Sequence, residues 1–159
     1  MKKLLYVATL VILLASCGGS GNSKDSSATA AQPDQKATAQ GNPSYDANRG
    51  EGKFTKVDVS TTLDVPKSTA GEKVYAVKCS SCHKLTEEKL VGPGWKGVTS
   101  RHAVEWIMNF ATNPDAMLDK DPKAQAMLEI CLVRMPNQNL SDDDARNVYE
   151  FMRKNDGVK

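Results

Sequence analysis

Lys78-Cys79-Ser80-Ser81-Cys82-His83-Lys84 is the stretch on which the reading of this 159-residue chain turns. Two thiols three residues apart lie on one side of a helical turn, and a histidine follows directly. Four cysteines are too few for a disulfide-dense scaffold, so their spacing matters more than their number. A zinc site would want a second ligand pair, and the sequence has none. A thioredoxin-like redox pair would want a βαβ context, and no strand alternation surrounds it. A Cys79–Cys82 disulfide would leave His83 unexplained. The remaining reading is C-x-x-C-H, the pattern that attaches c-type haem. Cys79 and Cys82 then form thioethers with two vinyl groups of one porphyrin edge, and His83 is delivered to the iron.

Outward from this stretch the pattern is helical. Thr69-Ala70-Gly71-Glu72 has capping-box spacing and predicts a helix running to about Cys79. Ser100 is placed to cap a second helix, Arg101 to Ala111, with Val104, Ile107, Met108 and Ala111 on one face. Asn113-Pro114 ends it. Asp121-Pro122 opens a third, to about Leu132. Ser141-Asp142-Asp143-Asp144 caps a last helix, to about Lys154, with Ala145, Val148, Tyr149 and Met152 on one face. The three aspartates read as acids favoured at a helix N-terminus rather than as a metal site. The fold class is therefore all-α. Aromatic residues make up only 6% of the chain, which suggests that something else fills the core.

A second axial ligand has to follow His83. Met108 and Met152 sit on apolar helix faces, where methionine is usually core filler. Met117 and Met127 lie in the Pro-bounded middle region. Met135 lies in Arg134-Met135-Pro136-Asn137, where Pro136 keeps it out of a helix. A soft thioether there favours Fe(II). Met135 is the expected ligand, and His102, read as a surface residue, is the alternative. Trp95 and Trp106 are candidates to donate an indole N–H to a haem propionate, with packing as the alternative. Arg101 is a candidate propionate partner. Cys131 is the odd cysteine and reads as a small buried hydrophobe.

At these residues the chain resembles class I cytochrome c over roughly 69–154. Gly71 and Tyr75 lie four apart ahead of Cys79. The resemblance implies that this helix crosses the C-terminal helix around a covalently attached haem, with Tyr149 as the partner ring. Gly92-Pro93-Gly94 is similar to the family's loop below the haem, which implies that the Pro93 carbonyl accepts from the far nitrogen of His83. Met135-Pro136, then Leu140 and a capped last helix, is also the family's order. The resemblance implies one covalent haem c with His83 and Met135 on the iron.

The N-terminus reads as an address. Lys2 and Lys3 precede an apolar run, Leu4 to Leu14, too short to span a bilayer but suited to a signal peptide. Leu14-Ala15-Ser16-Cys17 resembles the lipobox of bacterial lipoproteins, which implies cleavage after residue 16 and lipidation of Cys17. Residues 17–66 read as lipidated Cys17 and a tether, with a possible extended docking segment over 52–60 carrying Phe54, Val57 and Val59; residues 67–159 read as the cytochrome domain. Treated as coil, 18–66 would reach roughly 35–40 Å. Lys+Arg is 21 against Asp+Glu 19, and losing Lys2 and Lys3 leaves 19 against 19. No strong basic field marks a nucleic-acid binder.

The expectation is an exported, membrane-anchored monohaem carrier in the periplasm. It would shuttle single electrons between respiratory-chain complexes and would not be an enzyme. A quinol oxidoreductase is the expected donor. A terminal oxidase is one expected acceptor. A nitrous-oxide-type reductase is another, because the Met135–Leu140 run looks similar to small cytochromes of nitrous-oxide respiration. The rivals are a haem subunit docked in an oxidoreductase complex, and a haem peroxidase or gas-binding protein with a labile sixth ligand.

Overall fold

The computed structural model describes residues 45–159. The expected signal peptide, Cys17 and the stretch 18–44 lie outside the described residues. Among the described residues the structure is helical, and extended pairing is limited to one isolated antiparallel bridge between His83 and Lys89.

The first helix, α1, spans Val65–Val74. Asp64 caps it, its carboxylate accepting from the Lys67 N–H at 3.0 Å, with Pro66 in the first turn. This corrects the cap predicted at Thr69. That residue lies inside α1 and donates its hydroxyl to the Val65 carbonyl at 3.0 Å. A carboxylate followed by proline makes the stronger start. The helix does not run unbroken to Cys79 either. Tyr75–Cys79 widens into a π-turn, with the Ser80 N–H on the Tyr75 carbonyl at 3.0 Å. Such turns recur at functional sites, and this one delivers Cys79.

The predicted helix over Arg101–Ala111 is two helices, α2 (Val98–Arg101) and α3 (Val104–Thr112). His102 between them is extended, at φ −135° and ψ 142°. Ser100 caps nothing; it sits inside α2. Its place is taken from the far end of the chain. The Asp156 carboxylate accepts from Gly97 N–H at 2.6 Å and from Thr99 N–H at 2.9 Å. Asn113-Pro114 ends α3 as predicted and also opens α4 (Pro114–Lys120), which the sequence pattern did not suggest. Asp121 caps α5 (Pro122–Cys131) by accepting from Ala124 N–H at 2.8 Å. Ser141 caps α6 (Asp142–Asn155) by accepting from Asp144 N–H at 3.0 Å.

The frame is the crossing of α1 over α6, the most extensive helix pair. A Cβ at Gly71 would lie 2.0 Å from the Asn147 carbonyl oxygen, so only glycine allows the two backbones to come this close. Tyr75 fills the space beside the crossing. Its ring lies 5.3 Å from Phe151 and 4.9 Å from Trp95. The partner ring on α6 is thus Phe151. Tyr149, the expected partner, is buried nearby and carries the Arg146 guanidinium over its ring at 5.5 Å.

Residues 45–66, counted with the tether in the sequence prediction, belong to the folded unit. Phe54, Val57 and Val59 pack against the core. The fully buried Asn109 amide holds this segment at three main-chain groups. It accepts from Phe54 N–H at 2.9 Å and donates to the Phe54 and Arg49 carbonyls at 3.0 and 2.9 Å. Glu105 accepts from Val57 N–H at 2.8 Å. Farther along, Arg153 is buried against Glu150 at 2.8 Å and donates to the Ser60 carbonyl at 2.6 Å. Asn109→Ala would strand all three groups and should lower stability by about 3 kcal/mol. Urea unfolding reads this directly, and a loss under about 1 kcal/mol would show that Asn109 does not anchor the segment.

Candidate functional site

A cavity of about 340 Å³ opens between the π-turn, the 91–95 loop and helices α3, α5 and α6. Its volume falls in the range of about 300–1,000 Å³ typical of cofactor sites. Cys79, Cys82 and His83 line it, as do Met135, Pro136 and Leu140 from the irregular stretch before α6. Trp106 and Ile107 of α3, Leu128 of α5 and Met152 of α6 supply apolar wall.

His83 is the most tightly specified residue of the site. Its Nδ1 lies 2.9 Å from the Pro93 carbonyl. A carbonyl only accepts, so Nδ1 carries the proton and Nε2 keeps its lone pair. The Tyr75 hydroxyl donates to the His83 carbonyl at 2.8 Å, and the Trp95 ring packs 5.5 Å from the imidazole. A Cβ at Gly92 would meet His83 Cε1 at 2.4 Å, so the loop closes on the ring only because residue 92 is glycine. Burial pushes the imidazole below its ordinary pKa, partly offset by the Pro93 bond. It is therefore neutral at neutral pH, the form a metal requires. Burial likewise pushes the Cys79 thiol up to about 11. Cys79, Cys82 and Cys131 are free thiols.

The other expected site residues divide. The Trp106 indole N–H is engaged within the protein: it donates to the buried Asp121 carboxylate at 3.0 Å. Tyr45 donates its hydroxyl to the same oxygen. Arg101 lines the cavity, but its guanidinium donates to the Gly94 carbonyl at 3.1 Å and to that of Lys96, bracing the 94–96 loop. Trp95 lines the cavity as a buried packing ring. Cys131 is half-buried at the cavity wall and is not the core hydrophobe expected. His102 is also half-buried, not a surface residue. It stacks on Trp106 at 3.9 Å between ring centroids, and its Nδ1 is buried without a partner. Burial, with Arg101 and Lys123 nearby, pushes it down to about 4. Among the methionines, Met127 and Met152 join Met135 at the cavity. Met117 lies apart: it is fully buried and its sulfur accepts from Glu51 N–H at 3.1 Å.

Two contributors escaped the sequence reading. Asp121 read only as a helix start, yet it joins Tyr45, Trp106 and α5 in one buried cluster. Lys78 read as a neighbour of the motif, yet it lines the cavity and donates to the Gln138 carbonyl at 2.9 Å. Neither has a local signal, because both partners are remote in sequence.

This fold and cavity agree with the comparisons to known proteins. The family model for cytochrome c matches residues 68–156, and the chain belongs to the cytochrome c family. It is similar to a cytochrome c from Rhodothermus marinus, with 28% identity and a TM-score of 0.64 over 66% of this chain and 90% of that one. It is also similar to an engineered form of that cytochrome, Rma TDE, at 27% identity and a TM-score of 0.63 over the same shares. The structure of Rma TDE bound to a carbene intermediate matches at 27% identity and a TM-score of 0.60, again over 66% and 90%. The fold is the all-α fold of class I cytochrome c. Such a domain carries one covalently attached haem c and serves haem-based electron transfer.

The donor set fits that group. A neutral imidazole with a free Nε2, two unpaired thiols and a thioether share one largely apolar cavity, whereas no cluster of three or more His, Cys, Asp or Glu exists among the described residues. If the Trp106 indole serves Asp121, Trp106→Phe should cost about 2 kcal/mol in urea unfolding. It should leave the visible spectrum unchanged. A changed spectrum at unchanged stability would place the indole toward the haem instead.

Proposed function

We propose that this protein is a membrane-tethered, single-electron carrier. In this reading Cys79 and Cys82 hold the haem through thioethers, and His83 Nε2 and Met135 Sδ ligate its iron. The observation that carries it is the His83–Pro93 bond, which frees Nε2 in a cavity that both thiols and Met135 also line. Bound haem c supplies a one-electron Fe(II)/Fe(III) couple. The chain's part is to keep that couple simple. His83 is held neutral and oriented by Pro93 and Gly92, which raises its basicity as a ligand. Met135 would be the second protein ligand, and its soft thioether would favour Fe(II) and leave no ligand site for a substrate. The apolar wall excludes water and sets a low dielectric around the centre.

The surface supports exchange with a protein partner. Of the exposed large apolar residues, Val77, Val91 and Val133 line the cavity, and Leu90, Ile130 and Leu132 adjoin its lining residues in the chain. Leu132, with 83% of its surface exposed, holds a left-handed backbone at φ 61°. An apolar rim and a balanced mature charge favour a partner that docks through apolar contact rather than long-range steering. We place the donor among quinol oxidoreductases and the acceptor among terminal oxidases or nitrous-oxide-type reductases. A lipid on Cys17, after export to the periplasm, would hold the domain beside them. The stretch 18–44 allows a reach of at most about 95 Å from that anchor.

Absorption spectra of the exported, haem-loaded protein test this reading. A sharp α-band on reduction and a weak far-red Met–iron band on oxidation are expected. Met135→Ala should abolish the far-red band, turn the ferric protein high-spin and lower its reduction potential. A native protein that is already high-spin and reacts with peroxide would overturn the carrier reading in favour of a haem peroxidase.

A further inference from the structure

We propose that Lys78 is a positioning residue for the sixth-ligand loop. Its ammonium fixes the spacing between the π-turn that carries Cys79 and the stretch that carries Met135. The proposal rests on the assignment of Met135 as axial ligand.

The stretch between α5 and α6 is held in an unusual way. Among the described residues, 133–140 neither donate nor accept a main-chain to main-chain hydrogen bond. Two non-glycine residues hold left-handed backbones there, Leu132 just before the stretch at φ 61° and Asn139 near its end at φ 49°. Its local bonds stay within it: Asn139 N–H donates to Asn137 Oδ1 at 2.8 Å, and Gln138 Nε2 to the Pro136 carbonyl at 3.3 Å. Nothing in that set fixes where Met135 stands relative to the rest of the domain.

Two side chains supply ties to other elements. Arg134 reaches Asp115 and Asp119 on α4 at 3.2 and 3.0 Å, and all three groups are largely exposed. Exposed ion pairs of this kind contribute little and are screened by salt. Lys78 donates to the Gln138 carbonyl at 2.9 Å in a half-buried setting, where a charged donor makes a stronger bond. No carboxylate competes for its ammonium among the ion pairs of the described residues. Lys78 immediately precedes Cys79, so the bond ties the loop to the element that holds the first thioether. One proposed attachment point and one proposed ligand are thereby referred to a common residue.

The test is competition for the iron in the haem-loaded, oxidised full chain, with imidazole as the probe. Imidazole binds only when Met135 has left, so its apparent affinity reports how often the loop opens. Lys78→Met removes the tie but keeps an apolar stem, and should tighten imidazole binding roughly tenfold and weaken the far-red band. Lys78→Arg keeps a charged donor and should restore both. Lys89→Met removes a nearby cation that donates to the Ile130 carbonyl, outside 133–140, and should change neither. Should Lys78→Met fail to take up haem, Lys78→Leu, which also lacks a donor, gives the same comparison. Imidazole affinity in these variants equal to that of the native protein would overturn the proposal. A native protein with no far-red band would overturn the Met135 assignment and this inference with it.

Discussion

The contact between Gly71 and the Asn147 carbonyl governs the geometry of everything else. A methyl group at residue 71 would lie 2.0 Å from that oxygen, so α1 and α6 cross at backbone distance or not at all. Once they cross there, Tyr75 is directed at Phe151 and Trp95, and its hydroxyl reaches the His83 carbonyl. The π-turn that follows brings Cys79 to the cavity wall. The motif-bearing segment is thus aimed by a contact some seventy residues away in the chain.

The two proposed iron ligands are held by different physics. His83 is fixed by its ring nitrogen, its main-chain carbonyl and a glycine pressed against its edge. Removing any one leaves the others. Met135 stands in a stretch, 133–140, that makes no main-chain to main-chain hydrogen bond among the described residues. The contrast suits a carrier. The strong-field, basic ligand is fixed, while the softer ligand depends on packing and a few side-chain ties.

What the sequence disclosed were features whose physics is local. Asp121-Pro122 and the Ser141 cap each depend on residues within a turn of one another, and each opens the helix predicted; the C-x-x-C-H residues, equally local, line one cavity. What it concealed depended on tertiary partners. Ser100 looked like a cap because nothing nearby revealed that Asp156 would bond Gly97 and Thr99. Thr69 satisfied a spacing rule that Asp64, followed by proline, satisfied more strongly. Trp106 read as either a propionate donor or a packing ring, with no sign that Asp121 would engage its N–H. The segment from Tyr45 to Asp64 was counted with the tether, although Phe54, Val57 and Val59 marked 52–60 as able to dock. Its anchorage is a set of main-chain groups gripped by Asn109, Glu105 and Arg153 from other elements.

The placement of α6 has a consequence for how the molecule comes into being. It is the last element of the chain, yet α1, the segment before α1 and the start of α2 all close upon it or upon Asp156 just after it. None of these pairings can form before the last element of the chain has been made. During synthesis, Cys79 and Cys82 therefore emerge well before the surface that buries Cys79 exists. The chain's own topology leaves an interval in which both sulfurs are accessible, and it closes that interval when the final turns arrive.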